Sequence, residues 1–71
     1  MDNKELILKK SEEILQLRGK LHNTDYLAIK YAEGELSTAE FAPIREQRKA
    51  WRAEINALEA EIEALRNEGG V

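Results

Sequence analysis

The last third of the chain carries a stripe of apolar residues at the spacing of an amphipathic helix. Its members recur every three or four positions: Phe41, Ile44, Trp51, Ile55, Leu58, Ile62 and Leu65. Arg48 alone interrupts the series, where one more apolar residue would fall. We call these eight residues the seam. Residues at this spacing lie along one side of a helix, so the pattern predicts a long helix whose seam is buried against another surface.

A shorter stripe at helical spacing occupies the first third of the chain and consists of Ile7, Ile14, Leu17 and Leu21. Asp2 or Asn3 can cap its start, because a short side-chain oxygen accepts a hydrogen bond from a free backbone N–H. The stripe predicts a helix over about residues 4–21. Gly19 lies inside it and either loosens the last turn or permits close packing there.

The middle of the chain contains signals for further helix ends. Asn23 and Thr24 are residue types that favour helix starts, which predicts a break near Asn23 and a short helix over about 24–33. Gly34 then suits the left-handed conformation that often ends a helix.

The long helix has the clearest start signal. The segment Ser37-Thr38-Ala39-Glu40 matches a capping box, in which the serine and glutamate side chains bond each other's backbone N–H groups. Pro43 removes one helical hydrogen bond and crowds the preceding turn, which predicts a short first turn and a kink near this residue. The helix therefore covers about 38–67, with Pro43 near the start of its long part, and ends at Gly69-Gly70.

Together these elements predict one all-α domain over residues 1–71, either a helical hairpin or a three-helix unit with a coiled-coil-like C-terminal helix. Because the first stripe offers only four apolar residues to match the seam, we also expect self-association. A basic start of the first helix and an acidic end of the long one favour an antiparallel arrangement. Surface charge pairs are too weak to exclude a parallel pairing of two long helices.

Composition excludes several classes of function. The 71 residues include no cysteine and one histidine, His22, so we expect no disulfide, metal or cofactor. The net charge of −3 combines 11 basic with 14 acidic residues and gives no general attraction to nucleic acid. No apolar run approaches the roughly 20 residues that span a bilayer, and the N-terminus lacks the features of a secretion signal. We therefore expect a soluble protein that does not bind membranes.

Three groups of residues are candidate sites, and a structural role explains each of them better. The acidic cluster of Glu54, Glu59, Glu61 and Glu63 lacks a histidine partner and is typical of a solvated face. The basic residues Arg45, Arg48, Lys49 and Arg52 surround Trp51, which suggests an aromatic anchor covered by arginine stems rather than a nucleic-acid site. Tyr26 and Tyr31 are expected in the core or at an interface. We expect no enzymatic activity.

A second stripe on the long helix consists of Ala50, Ala53, Ala57, Ala60 and Ala64. Alanine is the best helix former on a surface, which explains the stripe most simply. The alternative is a second close-packing face in a bundle or oligomer.

Two segments carry a resemblance to a known group of proteins. The segment over 21–34 fits the pattern L-x-x-T-D-Y-x-x-I-K-x-x-E-G, and that over 41–56 fits F-A-P-I-x-x-Q-R-x-x-W-R-x-x-I-N. Both resemble a small helical module in tail-region proteins of phages and prophages of Gram-positive bacteria. The resemblance covers about half of the chain, up to Leu58, and implies a genomic context more than a mechanism.

The resemblance implies a phage-derived protein that acts by binding other proteins, in the bacterial host cytoplasm or in the virion. A small structural or chaperone-like component of tail or virion assembly is the first expectation. An inhibitor of a host or bacterial-defence enzyme, such as an anti-CRISPR protein, is the alternative. A nucleic-acid-binding regulator comes third, because the charge disfavours it.

Overall fold

The structure is a computed structural model that describes residues 2–68. Two helices, α1 (Asn3–Ala32) and α2 (Thr38–Glu68), pack side by side as a helical hairpin. They run antiparallel, because Asn3 near the start of α1 donates a hydrogen bond to the Leu65 carbonyl near the end of α2. No strand occurs in the described residues, which confirms the all-α class and selects the hairpin over the three-helix unit. Gly69-Gly70, the predicted end of the long helix, lie outside the described residues.

The predicted break near Asn23 is wrong, because α1 continues unbroken from Asn3 to Ala32. Thr24 does not act as a helix cap. Its hydroxyl oxygen lies 3.1 Å from the carbonyls of Lys20 and Leu21, one turn earlier in the same helix. The hydroxyl is therefore satisfied within a continuous helix, and packing against α2 overrides the local preference for a start.

The turn between the helices follows local chemistry. Gly34 has φ +83°, and the N–H groups of Gly34 and Glu35 bond the carbonyls of Tyr31 and Lys30 at 3.1 and 2.8 Å. This pair of bonds is a Schellman motif, which satisfies carbonyls at a helix end and requires a residue that tolerates positive φ. The prediction that Gly34 ends a helix is confirmed.

The two helix starts also agree with the sequence. An Asp2 carboxylate oxygen accepts a hydrogen bond from the Glu5 N–H at 2.8 Å. At α2, the Ser37 hydroxyl accepts from the Glu40 N–H at 3.0 Å, and the Glu40 carboxylate accepts from the Ser37 N–H at 2.9 Å. The capping box is confirmed. The bond from the Ser37 N–H, followed by that with its hydroxyl, lowers the pKa of Glu40.

Pro43 lies inside α2 rather than near the start of a separate helix, so the separate short turn that was expected before it is wrong. Helical structure continues from Thr38 through Pro43 without interruption. The proline forfeits the hydrogen bond that its N–H would give to the Ala39 carbonyl. Both residues are exposed, so water can solvate that carbonyl in place of the missing N–H.

The seam is buried within the chain. Its eight residues are all buried or half-buried, whereas every other described residue of α2 is exposed. The core joins Ile14 and Leu17 of α1 to Ile55 and Ile62 of α2, and further half-buried side chains pack around it: Ile7, Leu21, Trp51 and Leu58. Since α1 covers the seam, burial of the seam does not require a second copy of the chain.

Candidate interaction surface

Arg48 occupies its seam position as a polar link between the helices. Its guanidinium donates to the Leu21 carbonyl at 2.8 Å, to the Thr24 hydroxyl at 2.7 Å and to the Asp25 carboxylate at 2.9 Å. Only 12% of its side chain is exposed. The guanidinium therefore has three acceptors at the place where the apolar series is interrupted. Arg48 completes the seam instead of weakening it.

An aromatic cluster closes the turn end of the hairpin. The rings of Tyr31 and Phe41 stack with centroids 4.6 Å apart and planes 9° from parallel. The Arg45 guanidinium lies over both rings, 5.4 Å from the Tyr31 centroid and 5.7 Å from that of Phe41. The Tyr31 hydroxyl is 3.4 Å from the Thr38 hydroxyl, and this hydrogen bond, followed by one with Arg45, lowers the pKa of Tyr31. The stacked rings of Tyr31 and Phe41 therefore join the end of α1 to the start of α2.

Trp51 is half-buried beside the core, and a cation covers its ring from the opposite helix. The Nζ of Lys20 lies 5.9 Å from the Trp51 centroid. The prediction that the neighbouring arginine stems cover this ring is wrong for Arg45 and Arg48. Arg45 lies over Tyr31 and Phe41, and Arg48 is directed at α1.

The acidic end of α2 takes part in pairing with α1. Lys10 Nζ is 2.9 Å from a Glu61 carboxylate oxygen, and an Arg18 guanidinium nitrogen is 3.1 Å from one of Glu59. These pairs agree with the antiparallel arrangement that the charge pattern favoured. Within residues 2–68, no group of three or more histidine, cysteine, aspartate or glutamate side chains is placed to hold a metal ion.

Large apolar side chains remain exposed on a side of α1 that α2 does not cover. Leu8 exposes 61% of its surface, Leu15 67%, Tyr26 57% and Ile29 58%. We call these four residues the outer stripe. Tyr26 was expected in the core or at an interface; the structure places it on the outside of the hairpin. The alanine stripe of α2 is exposed as well, so it does not pack within the chain.

A second periodic series in the sequence of α1 indicates most of the outer stripe. Leu8, Leu15 and Ile29 belong to a series with a step of seven residues, in which His22 takes the remaining place. Residues seven apart lie on the same side of helices that pack along their length. The buried series of α1 occupies the same helix and obscures this second series; it consists of Ile7, Ile14, Leu17 and Leu21.

A groove of about 770 Å³ lies beside the outer stripe, between the two helices. Ile14 and Ile62 belong to the core and also line this groove, while Leu15, Arg18, Glu59 and Glu63 are exposed residues along it. Apolar surface inside a charged border is the composition typical of protein interfaces. The groove and the outer stripe together form the candidate interaction surface.

Comparison with protein-family models, with curated proteins and with solved structures gave no match to this chain. Neither α1 nor α2, as far as residue 68, is long and apolar enough to cross a membrane.

Proposed function

We propose that the chain is a non-enzymatic protein-interaction module that binds through the outer stripe of α1. The observation that carries the proposal is the exposure of four large apolar side chains along one helix, on a face that adjoins the buried one. Isolated exposed apolar residues are normal, but a series of them along one face of a helix marks an interaction site. The hairpin is the support, and the outer stripe is the binding surface.

The energetics support this division of roles. Full burial of a leucine or isoleucine side chain stabilises by about 1.5–3 kcal/mol, and most of that stabilisation is still to be gained for Leu8, Leu15 and Ile29. Tyr26 adds an aromatic ring with a hydroxyl, a side chain that is enriched at protein interfaces. A partner that covers these four residues gains binding energy without disturbing the hairpin core.

The biological role that we propose is in phage tail or virion assembly, as a small structural or chaperone-like component. Its support is the resemblance of the segments over 21–34 and 41–56 to phage tail-region proteins, together with a binding surface that needs no cofactor. A regulator that binds nucleic acid has less support. Two of the four basic side chains near Trp51, Arg45 and Arg48, are engaged with groups of the chain itself.

Site-specific photo-crosslinking in phage-producing cells tests the proposal. A photoreactive amino acid replaces Leu15 in one variant and Gln16, an exposed neighbour on the same helix, in the control. Crosslinks that form at position 15 and not at position 16, to a tail or virion protein, are the expected result. A defence or host enzyme at position 15 would instead identify an inhibitor. Equal or absent crosslinking at both positions would contradict the outer stripe as a binding surface.

A further inference from the structure

The groove beside the outer stripe belongs to a longer channel along α1. Its main part, of about 770 Å³, is lined by Leu15, and a second hollow of about 490 Å³ toward the start of α1 is lined by Leu8. The half-buried Ser11 lines both parts. The lining repeats after seven residues, because an isoleucine–leucine pair occurs in each part: Ile7 with Leu8, and Ile14 with Leu15. The open half of the hairpin therefore has a channel whose wall repeats at the period of packed helices.

The same side of the hairpin continues toward the turn. The seam keeps its spacing of three and four over 41–65 and is buried or half-buried throughout, so residues seven apart lie on the same side of α2. On α1 this step gives a series along most of the helix: Leu8, Leu15, His22 and Ile29. On α2 the groove residues Glu59, Glu63 and Arg66 lead back to residues nearer the turn: Arg45, Lys49, Arg52 and Asn56. We call these eleven residues the groove flank, and all of them are exposed.

The spacing of the series on α1 identifies the kind of occupant. From Leu8 to Ile29 the series advances by seven residues at each step, which is roughly 10.5 Å along the helix. A second helix that lies along the channel presents side chains at the same interval, because packed helices share the period of seven residues. One face of an extended strand presents a side chain every ~6.6 Å and does not match this interval. A helix is therefore the complement of the groove flank.

The half of the groove flank near the turn is basic. Arg45, Lys49 and Arg52 follow one another along α2 with no acidic residue of the groove flank between them, and we call them the basic strip. The carboxylate of Asp25 on α1 is paired with Arg48 at 2.9 Å and does not belong to this strip. Because the whole chain has a net charge of −3, the basic strip attracts an acidic partner against the general repulsion.

The half near the open end has mixed charge and gives no such preference. Arg66 lines the groove together with Glu59 and Glu63, and the guanidinium of Arg18 lies 3.1 Å from the Glu59 carboxylate. Both hollows of the channel lie in this half. An occupant is therefore held by apolar contact toward the open end and by opposite charge near the turn.

We propose that an acidic amphipathic helix of a partner protein packs along the groove flank as the third helix of a bundle, an inference that rests on the proposed interaction function. The apolar side of this helix covers Leu8, Leu15 and Ile29. Its acidic residues lie opposite Lys49 and Arg52. An apolar groove that receives an amphipathic helix is a recurrent mode of protein recognition, and charges at its border select the partner.

Titration with a synthetic helix, followed by fluorescence anisotropy, tests the proposal. The probe is a labelled peptide of four heptads, about 28 residues or 42 Å when helical, with leucine along one side and glutamate at the positions beside it. The control peptide has lysine in place of each glutamate, and repulsion between like charges keeps either peptide from pairing with itself. The glutamate peptide should bind at least about tenfold more tightly. General attraction to a chain of net charge −3 would favour the lysine peptide instead.

Substitutions in the basic strip show where the glutamate peptide binds. Lys49→Gln/Arg52→Gln should weaken its binding about fivefold, because two charge pairs are lost. Ala50→Glu/Ala57→Glu changes the net charge by the same two units at exposed positions outside the groove flank. This control should keep the affinity within about twofold of wild type, because charges away from the contact are screened by salt.

Truncation of an apolar side chain tests the channel separately from the charges. Leu15→Ala should weaken binding about tenfold, since burial of the leucine side chain supplies part of the affinity. Gln16→Ala, at an exposed position outside the groove flank, is the control and should bind as wild type does. Circular dichroism of each variant alone shows that the hairpin remains folded. In the complex, the helical signal should exceed the sum of the separate spectra, because the peptide becomes helical when it binds.

Four results of the titrations would overturn the acidic helix. They are equal or tighter binding of the lysine peptide; no binding of the glutamate peptide up to about 1 mM, where even a weak interface associates; an unchanged affinity in Lys49→Gln/Arg52→Gln; and a complex that gains no helical signal. A short DNA duplex that binds more tightly than the glutamate peptide would assign the basic strip to nucleic acid. A dimer of the chain that excludes the peptide in sedimentation equilibrium would assign the groove flank to a second copy.

The crosslinking experiment distinguishes failure of the acidic helix from failure of the proposed function. If the glutamate peptide does not bind but position 15 still crosslinks selectively to a tail or virion protein in cells, the acidic helix is rejected and the proposed function stands. If the peptide binds as expected but position 15 gives no selective crosslink in cells, the role in phage assembly is rejected and the helix-binding surface stands.

Discussion

Replacement of Arg48 by leucine tests whether a polar link or an apolar side chain serves the seam better. Sequence alone favours leucine, which would complete the apolar series and raise the thermal midpoint. In the structure, Arg48→Leu removes hydrogen bonds to the Leu21 carbonyl, the Thr24 hydroxyl and the Asp25 carboxylate. We therefore expect the substitution to lower the free energy of unfolding.

The magnitude follows from these contacts. Hydrogen bonds from a charged donor contribute about 1.5 kcal/mol or more each, which gives about 3 kcal/mol for those to Leu21 and Thr24. The pair with Asp25, whose side chain is 52% exposed, adds about 0–1 kcal/mol. Burial of the leucine side chain returns about 2 kcal/mol. The net loss is about 1–2 kcal/mol.

Chemical denaturation followed by circular dichroism measures this loss. Gln47→Ala, at the exposed neighbouring position, is the control and should change stability by less than about 0.5 kcal/mol. The double variant Arg48→Leu/Thr24→Val should lose less than the sum of the single variants, because each single change already breaks the shared hydrogen bond. An increase in stability for Arg48→Leu, or strict additivity with Thr24→Val, would refute the reasoning.

Four further predictions concern stability. Gly19→Ala should stabilise by about 1 kcal/mol, because an added Cβ meets nothing within 4 Å and alanine is the better helix former; a lower thermal midpoint would contradict this. Ser37→Ala should destabilise by about 1 kcal/mol through loss of the helix cap. Because the pKa of Glu40 is lowered in the folded protein, its carboxylate contributes fully to the free energy of unfolding above about pH 4.5, and this contribution is lost as the pH falls through the lowered pKa. Glu40→Gln should therefore flatten the acid part of a curve of stability against pH. Trp51→Ala should cost about 3 kcal/mol, the low end for tryptophan because the ring is half-buried, and an unchanged denaturation midpoint would exclude Trp51 from the core.

Features that depend on local chemistry or on helical period were predictable from the sequence. The residues of the seam were correctly placed on one face because a helix repeats every 3.6 residues whatever it packs against. The capping box at Ser37 and the end of α1 at Gly34 were also predicted, since each depends on backbone groups within a few residues. For the same reason, the all-α class could be predicted without knowing which surface the seam packs against.

The tertiary structure decided what depends on residues far apart in the chain. Thr24 carries a local preference for a helix start, and it stays inside α1 because packing along α2 and the bond from Arg48 favour a continuous helix. Arg48 interrupts an apolar series in the sequence, and its acceptors lie 23 to 27 positions earlier, where no local rule connects them. The exposure of the outer stripe could not be predicted either. The helical period of the sequence places apolar residues on two faces of α1, and only the position of α2 decides which face remains exposed.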